Sequence, residues 1–241
     1  MPCPSSNSSN SSNSSHDRAS VAPLAPALWL WLAAAAAAVG YGVGLPSAPY
    51  PGQAAAKVLM CVLLMLSALR HVPVAERVRL CVALAASGTG DVLLALPRYS
   101  FSFVGGLGSF LVAHLAYCTL FAPLAVRPAG WRLAAAAALW TAAAAIYMVF
   151  LPHLGPLAVP VAVYMCALCL MASLAVFARG LHPLAAMGGF SFVISDAMIG
   201  VDRFLEAFAA STYGIWATYA FAQLALAAAI VLLPRRGLSA G

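Results

Sequence analysis

Two aspartates, Asp91 in CVALAASGTGDVLLALP and Asp196 in MGGFSFVISDAMIGV, are embedded in sequence apolar enough for a bilayer. A carboxylate at that depth costs about a few kcal/mol or more, so such residues are rare and usually functional. Taken singly, each is a structural acid satisfied by backbone or hydroxyl groups. Taken together, they form a paired-carboxylate site. Two carboxylates in a low-dielectric pocket do not readily ionise together and hold one proton between them. That state presents an acid and a base at once, which is what general acid–base hydrolysis needs.

Few other polar groups lie at depth. His114 is the one histidine well inside an apolar stretch, and Phe110, His114 and Tyr117 recur at i, i+4 and i+7 on one helix face. Such a histidine is either a hydrogen-bonded core residue or part of a site; the sequence leaves both open. It also argues against catalytic zinc, which usually takes three protein ligands. No metal and no cofactor are expected, although an Asp, Asp, His set stays open. Lys57 either snorkels to the interface or faces a phosphate headgroup. Tyr164, Tyr219 and Gln223, taken singly, are interhelical hydrogen-bonding groups. Ser195 precedes Asp196, and a Ser/His/Asp triad there would need nucleophile and acid at adjacent, divergent helix positions. Arg203, between Asp202 and Glu206, lies about two turns beyond Asp196 and on a similar face, close enough to help bind an anionic headgroup.

The elements that must position these residues follow from composition. The chain of 241 residues is 64% hydrophobic and 7% charged. Soluble domains carry roughly a quarter charged residues, so this chain lacks the polar surface to coat a water-soluble core. It is expected to be an all-α polytopic membrane protein. The net charge of +6 comes from residues at segment ends, with no basic stripe or aromatic interleaving, so nucleic acid is excluded as a partner. Spans of about 20 apolar residues are read over 22–44, 54–70, 74–96, 101–126, 132–151, 156–178, 184–203 and 213–233, punctuated by LPSAPYPGQ, RHVPVAER, LPRYS and VRPAGWR. Residues 1–20 form a Ser/Asn-rich tail too polar to fold alone, the eight-helix domain occupies 21–234, and 235–241 is a short C-terminal tail.

Eight spans place Arg18, Arg70, Arg77, Arg79, Arg127, Arg132, Arg179, Arg235 and Arg236 on one side, and Lys57, Arg98 and Arg203 on the other. Positive charge favours the cytoplasmic face, so both termini are expected there. The sequons at Asn7, Asn10 and Asn13 are then unused. Asp91 and Asp196 fall in the third and seventh spans, which run the same way, so the carboxylates reach similar depth if those helices are neighbours. The cysteines, mostly in apolar spans and including Cys166 and Cys169 as a C-x-x-C, read as small packing residues.

These pieces, in order, resemble the YhhN-like lysoplasmalogenase family. The resemblance runs through Lys57 in KVLMCVLLML, Gly90-Asp91-Val92-Leu93-Leu94, Gly106-Leu107 through Phe110 to His114 and Tyr117, then Tyr164. It continues in Gly189-Phe190 to Ser195-Asp196, Arg203-Phe204, and Tyr219 with Ala222-Gln223. No piece is specific alone; the order and spacing carry the resemblance. It implies an eight-span enzyme that hydrolyses the vinyl ether bond of lysoplasmenylcholine or lysoplasmenylethanolamine to a fatty aldehyde and a glycerophospho-headgroup alcohol. It also implies Asp91 and Asp196 as catalytic, and Lys57, His114, Tyr117, Tyr164, Ser195, Arg203, Tyr219 and Gln223 as lining the substrate site. The expected partner is a lysophospholipid drawn from the bilayer, and the expected location the endoplasmic reticulum membrane. A homodimer is compatible with these residues, and none of them requires one.

Two other readings compete. Gly88-Thr89-Gly90-Asp91 is a G-x-G-D, as in presenilin-like intramembrane aspartyl proteases. However, the second aspartate follows a serine, comes after that span, and the one Pro-Ala-Leu, at 26–28, opens the first span. A proton-coupled transporter also uses intramembrane carboxylates, but no inverted repeat is visible between the halves.

Overall fold

The computed structural model describes residues 25–231 apart from 72, 97, 129 and 209; the expected tails, with Cys3 and the three sequons, lie outside them. Eight α-helices follow one another among the described residues: α1 (Ala25–Gly44), α2 (Gln53–His71), α3 (Val74–Leu94), α4 (Ser102–Phe121), α5 (Trp131–Leu154), α6 (Ala158–Phe177), α7 (Leu184–Phe204) and α8 (Ser211–Val231). Long runs of Leu, Val and Ala carry apolar groups all round each helix. In water such a helix must be wrapped by others, whereas in lipid its outer face needs no cover. Large apolar side chains accordingly stand exposed on the perimeter, among them Trp29, Val43, Trp131, Val159 and Met187. The protein is an integral, multi-pass membrane protein.

Six segments are long and apolar enough to cross a bilayer, and one of them, Trp131–Phe177, holds both α5 and α6. Seven helices therefore qualify by composition. The helix outside that set is α3, which carries Glu76, Arg77, Arg79 and Asp91. An eighth crossing and the side on which the termini lie remain part of the functional proposal below.

Helix packing defines a ring. α2 packs on α3, α3 on α4, α4 on α6, α6 on α7, α7 on α8, and α8 closes back on α2; α1 leans on α2 and α8, while α5 leans on α6 and α7. The aspartate-bearing helices α3 and α7 are thus not packed neighbours but face each other across the ring. The two carboxylates nonetheless line one cavity; spacing along a sequence sets depth, not which helix packs on which.

Small residues let ring helices approach closely. A Cβ on Gly188 of α7 would come 3.1 Å from the Ala222 carbonyl oxygen of α8, and one on Gly189 would come 3.1 Å from the Ala172 Cα of α6. Neither obstacle is backbone that can yield cheaply, so α7 is wedged between its neighbours by two consecutive glycines.

Arginines at one end of the bundle close the ends of neighbouring helices. Arg77 and Arg79 near the start of α3 donate to the Leu69 carbonyl of α2 and the Thr119 carbonyl of α4, each at 3.3 Å. Arg132 at the start of α5 donates to the Phe177 and Ala178 carbonyls at the end of α6, at 3.4 Å. The last carbonyls of a helix lack intrahelical donors and carry partial negative charge, so a guanidinium there satisfies both needs. Beside it, the segment after α4 pairs with the segment after α6 through Arg179 N to Leu124 O at 2.8 Å and an isolated antiparallel bridge, Ala125 to Ala178.

Candidate active site

Every ring helix contributes polar side chains to the interior, chief among them Lys57 from α2, Asp91 from α3, His114 from α4, Tyr164 from α6, Asp196 from α7 and Tyr219 from α8. They sort into two groups, one around each carboxylate.

Asp91, 1% exposed, accepts a hydrogen bond from the Tyr219 hydroxyl at 2.6 Å on Oδ2 and forms an ion pair with Lys57 Nζ at 3.5 Å on Oδ1. Cys61 Sγ lies 3.8 Å from Oδ2 and 3.5 Å from the Tyr219 hydroxyl. Behind Tyr219 the chain of hydrogen bonds continues: Gln223 Nε2 donates to the Tyr219 oxygen at 3.2 Å, and Tyr117 donates to Gln223 Oε1 at 2.8 Å. A buried carboxylate needs this density of donors, because each unpaired lone pair would cost desolvation energy with no return.

Asp196 is held differently. The Tyr164 hydroxyl donates to Oδ2 at 2.5 Å, and His114 Nε2 lies 3.1 Å from the Tyr164 oxygen and 3.4 Å from Asp196 Oδ2. Among the described residues, His114 Nδ1 is buried without a partner. Nε2 is the ring nitrogen that reaches both Tyr164 and Asp196. Phe192, fully buried, stands edge-on between the groups, with ring centroids 4.7 Å from His114 and 5.6 Å from Tyr219.

Two cavities meet at Asp196. The first holds about 830 Å³ of empty space counted to its open side and is walled by apolar residues of α3 to α7, including Leu107, Ile146, Phe150, Met165, Leu168 and Val193, with Tyr164 and Asp196 among them. The second, about 510 Å³ counted to its open side, is the more polar of the two: Tyr41, Lys57, Asp91, Ser195, Thr212, Trp216 and Tyr219 line it beside apolar residues such as Leu45 and Ile215. Leu94, Phe110, Asp196 and Ile199 belong to both. Asp196 is the one carboxylate that touches the apolar space, while Asp91 faces the polar one.

The residues expected to line a substrate site separate by depth. Lys57, Asp91, Asp196 and Tyr219 border the polar cavity, and Tyr164 borders the apolar one. Tyr117, Gln223 and His114 border neither and stand behind the residues that do. Ser195 edges the polar cavity, but its hydroxyl donates to the Ile215 carbonyl of α8 at 3.0 Å. Arg203 is exposed at the end of α7, its guanidinium 4.7 Å from the ring centroid of Phe103, so it sits at the apolar cavity's rim rather than within the polar one. Sequence reasoning missed Cys61, which it treated as packing, and the aromatic residues Trp216 and Phe192; no periodicity marks them. The interval from Lys57 to Cys61, one helical turn, was the available signal for the thiol.

A family model described as the YhhN family matches residues 52–230, which spans both carboxylates and the side chains bonded to them. The chain belongs to the YhhN family. Two relatives, from Mycobacterium bovis and Mycobacterium tuberculosis, are each 42% identical over 180 residues, covering 73% of this chain and 69% of the relative; both carry the name Lysoplasmalogenase. No solved structure matches. Both relatives are bacterial, and bacteria have no endoplasmic reticulum, so they give that expected location no support.

Proposed function

We infer that this YhhN-family protein hydrolyses the vinyl ether bond of lysoplasmalogens within the membrane. The observation that carries this reading is Asp196 as the common wall of an apolar and a polar cavity. A lysoplasmalogen has the same division. Its hydrocarbon chain suits the space among α4 to α7, its glycerophospho headgroup the cavity beside Lys57, and the vinyl ether between them falls at Asp196. The name shared by the mycobacterial relatives supports the same substrate class.

The two carboxylates divide the work without sharing a proton. Asp196, backed by Tyr164 and His114, carries the proton and delivers it to the β-carbon of the vinyl ether. The oxocarbenium ion that results resembles the cation-like state that paired carboxylates stabilise in glycoside hydrolysis. Asp91, ion-paired with Lys57, takes a proton from water as its oxygen bonds to the cationic carbon, giving a hemiacetal. Asp91 then returns that proton to the departing glycerol oxygen while Asp196 recovers one from the hemiacetal hydroxyl. The products are a fatty aldehyde and a glycerophospho-headgroup alcohol, and both carboxyl groups regain their starting states. In this reading all eight helices cross with both termini cytoplasmic, and the chemistry lies in the half of the bilayer away from the cytoplasm.

The test uses purified protein in detergent with a lysoplasmalogen, reading released aldehyde. Asp196→Asn and Asp91→Asn should each lose about 10²-fold or more of kcat, the scale of general acid–base catalysis. Turnover that persists in either folded variant rules out the division of roles, and equal cleavage of an acyl lysophospholipid points to an esterase.

A further inference from the structure

Lys57 is the sole lysine among 241 residues; the other eleven members of the basic set of 12 are arginines. That one primary amine on a side chain is not at the surface. It is 16% exposed, lines the polar cavity, and holds its ammonium 3.5 Å from Asp91. An arginine would bind a phosphate or pair with a carboxylate at least as well, and cannot give up its proton. What lysine adds is a nitrogen that, once deprotonated, attacks carbonyl carbon. The reaction proposed above releases an aldehyde into this same cavity. Its carbonyl carbon is the atom to which Asp91 delivered water, so it lies within about one water of Asp91 and within reach of Lys57.

We propose that Lys57 is a covalent acceptor for a long-chain aliphatic aldehyde, forming a reversible imine that holds the product in the site and restrains turnover. This rests on the vinyl ether reading for the source of the aldehyde. The ammonium of Lys57 passes a proton to Asp91, the neutral nitrogen adds to the carbonyl carbon, and the carbinolamine loses water as a C=N bond replaces C=O. No oxidant or reductant is consumed, and water reverses the step. The hydrocarbon tail occupies the apolar cavity past Leu94 and Phe110, which border both spaces. While the imine persists, Asp91 has lost its cationic partner and carries the extra proton, so it cannot accept one from the next water.

The experiment supplies hexadecanal directly to the full-length protein in detergent, adds borohydride, and maps the alkylated peptide by mass spectrometry. The expected result is one reduced adduct on Lys57, with about tenfold less when pentanal replaces hexadecanal at equal concentration, because the short chain forfeits burial in the apolar cavity. Asp196→Asn should lose vinyl ether hydrolysis and still form the adduct from added aldehyde, which separates the two claims. Lys57→Arg should form none, and intact folding of that variant is read from its melting temperature. Alkylation confined to the α-amine, or equal yields from the two aldehydes, overturns the proposal. Hydrolysis of a lysoplasmalogen by a protein that forms no Lys57 adduct overturns the imine alone; an adduct without hydrolysis overturns the vinyl ether reading alone.

Discussion

The Tyr219 hydroxyl ties Asp91 to a chain of buried polar groups, with Cys61 Sγ also beside it at 3.5 Å. It donates to Asp91 at 2.6 Å and accepts from Gln223 at 3.2 Å, and Gln223 is in turn held by Tyr117 at 2.8 Å. Removing the hydroxyl in Tyr219→Phe strips a donor from the carboxylate and orphans a buried amide, at about 1–3 kcal/mol of stability. The same change should cut kcat by about tenfold to a hundredfold, since Asp91 then meets water with a less fixed orientation. Gln223→Leu and Tyr117→Phe should follow in that order of decreasing effect, as each acts one bond further from the reacting atoms. Rates and melting temperatures of the three variants check the series; a Tyr117→Phe loss as large as that of Tyr219→Phe would dissolve the idea of a chain. On the other carboxylate, Tyr164→Phe should lower kcat with little change in KM. Its hydroxyl, 2.5 Å from Asp196, orients the proton rather than holding the lipid.

At the scale of the helices, the close contact of α5 with α7 shapes the apolar cavity. A Cβ on Gly200 would come 2.6 Å from the Phe150 ring, which walls that cavity together with Ile146. In Gly200→Ala the ring must turn away or α5 must shift, at about 1–3 kcal/mol for overpacking. KM for a long-chain substrate should rise while a short-chain analogue is less affected, as comparison of the two substrates would show. Equal changes for both would mean the ring relaxes away from the cavity. The helices themselves were legible in the sequence: apolar runs broken by proline, glycine and charge located all eight to within a few residues of their observed limits. The ring order was not legible, because apolar residues surround each helix and hydropathy does not say which face meets a neighbour. For the same reason Tyr117 and Gln223 looked equivalent to Tyr219, although one lines the cavity and the others stand behind it. Cys61 was invisible as a site residue because a thiol among apolar residues reads as packing wherever it points.

For the whole molecule, the arginine contacts gather Arg77, Arg79 and Arg132 at one face of the bundle. Arg77, Arg79 and Arg132 each donate to the final carbonyls of an even-numbered helix, so α2, α4 and α6 end at the same face as α3 and α5 begin. The bridge between Ala125 and Ala178 independently joins the ends of α4 and α6. That face holds the arginine-rich connections and the opposite face holds the end of α7 with Arg203, so positive charge predicts the former to be cytoplasmic. If α8 crosses, the connection between α7 and α8 lies across the membrane from the end of α8. A spaced glycosylation acceptor inserted after Glu206 should then be modified in microsomes, and the same acceptor appended at the C-terminus should not. Modification of both would mean that α8 does not cross, and the reverse pattern would invert the bundle. Inversion would also move Lys57 and Asp91 to the cytoplasmic half, changing which leaflet supplies the lipid. The glycosylation pattern therefore tests the direction of α8 and the side of the chemistry together.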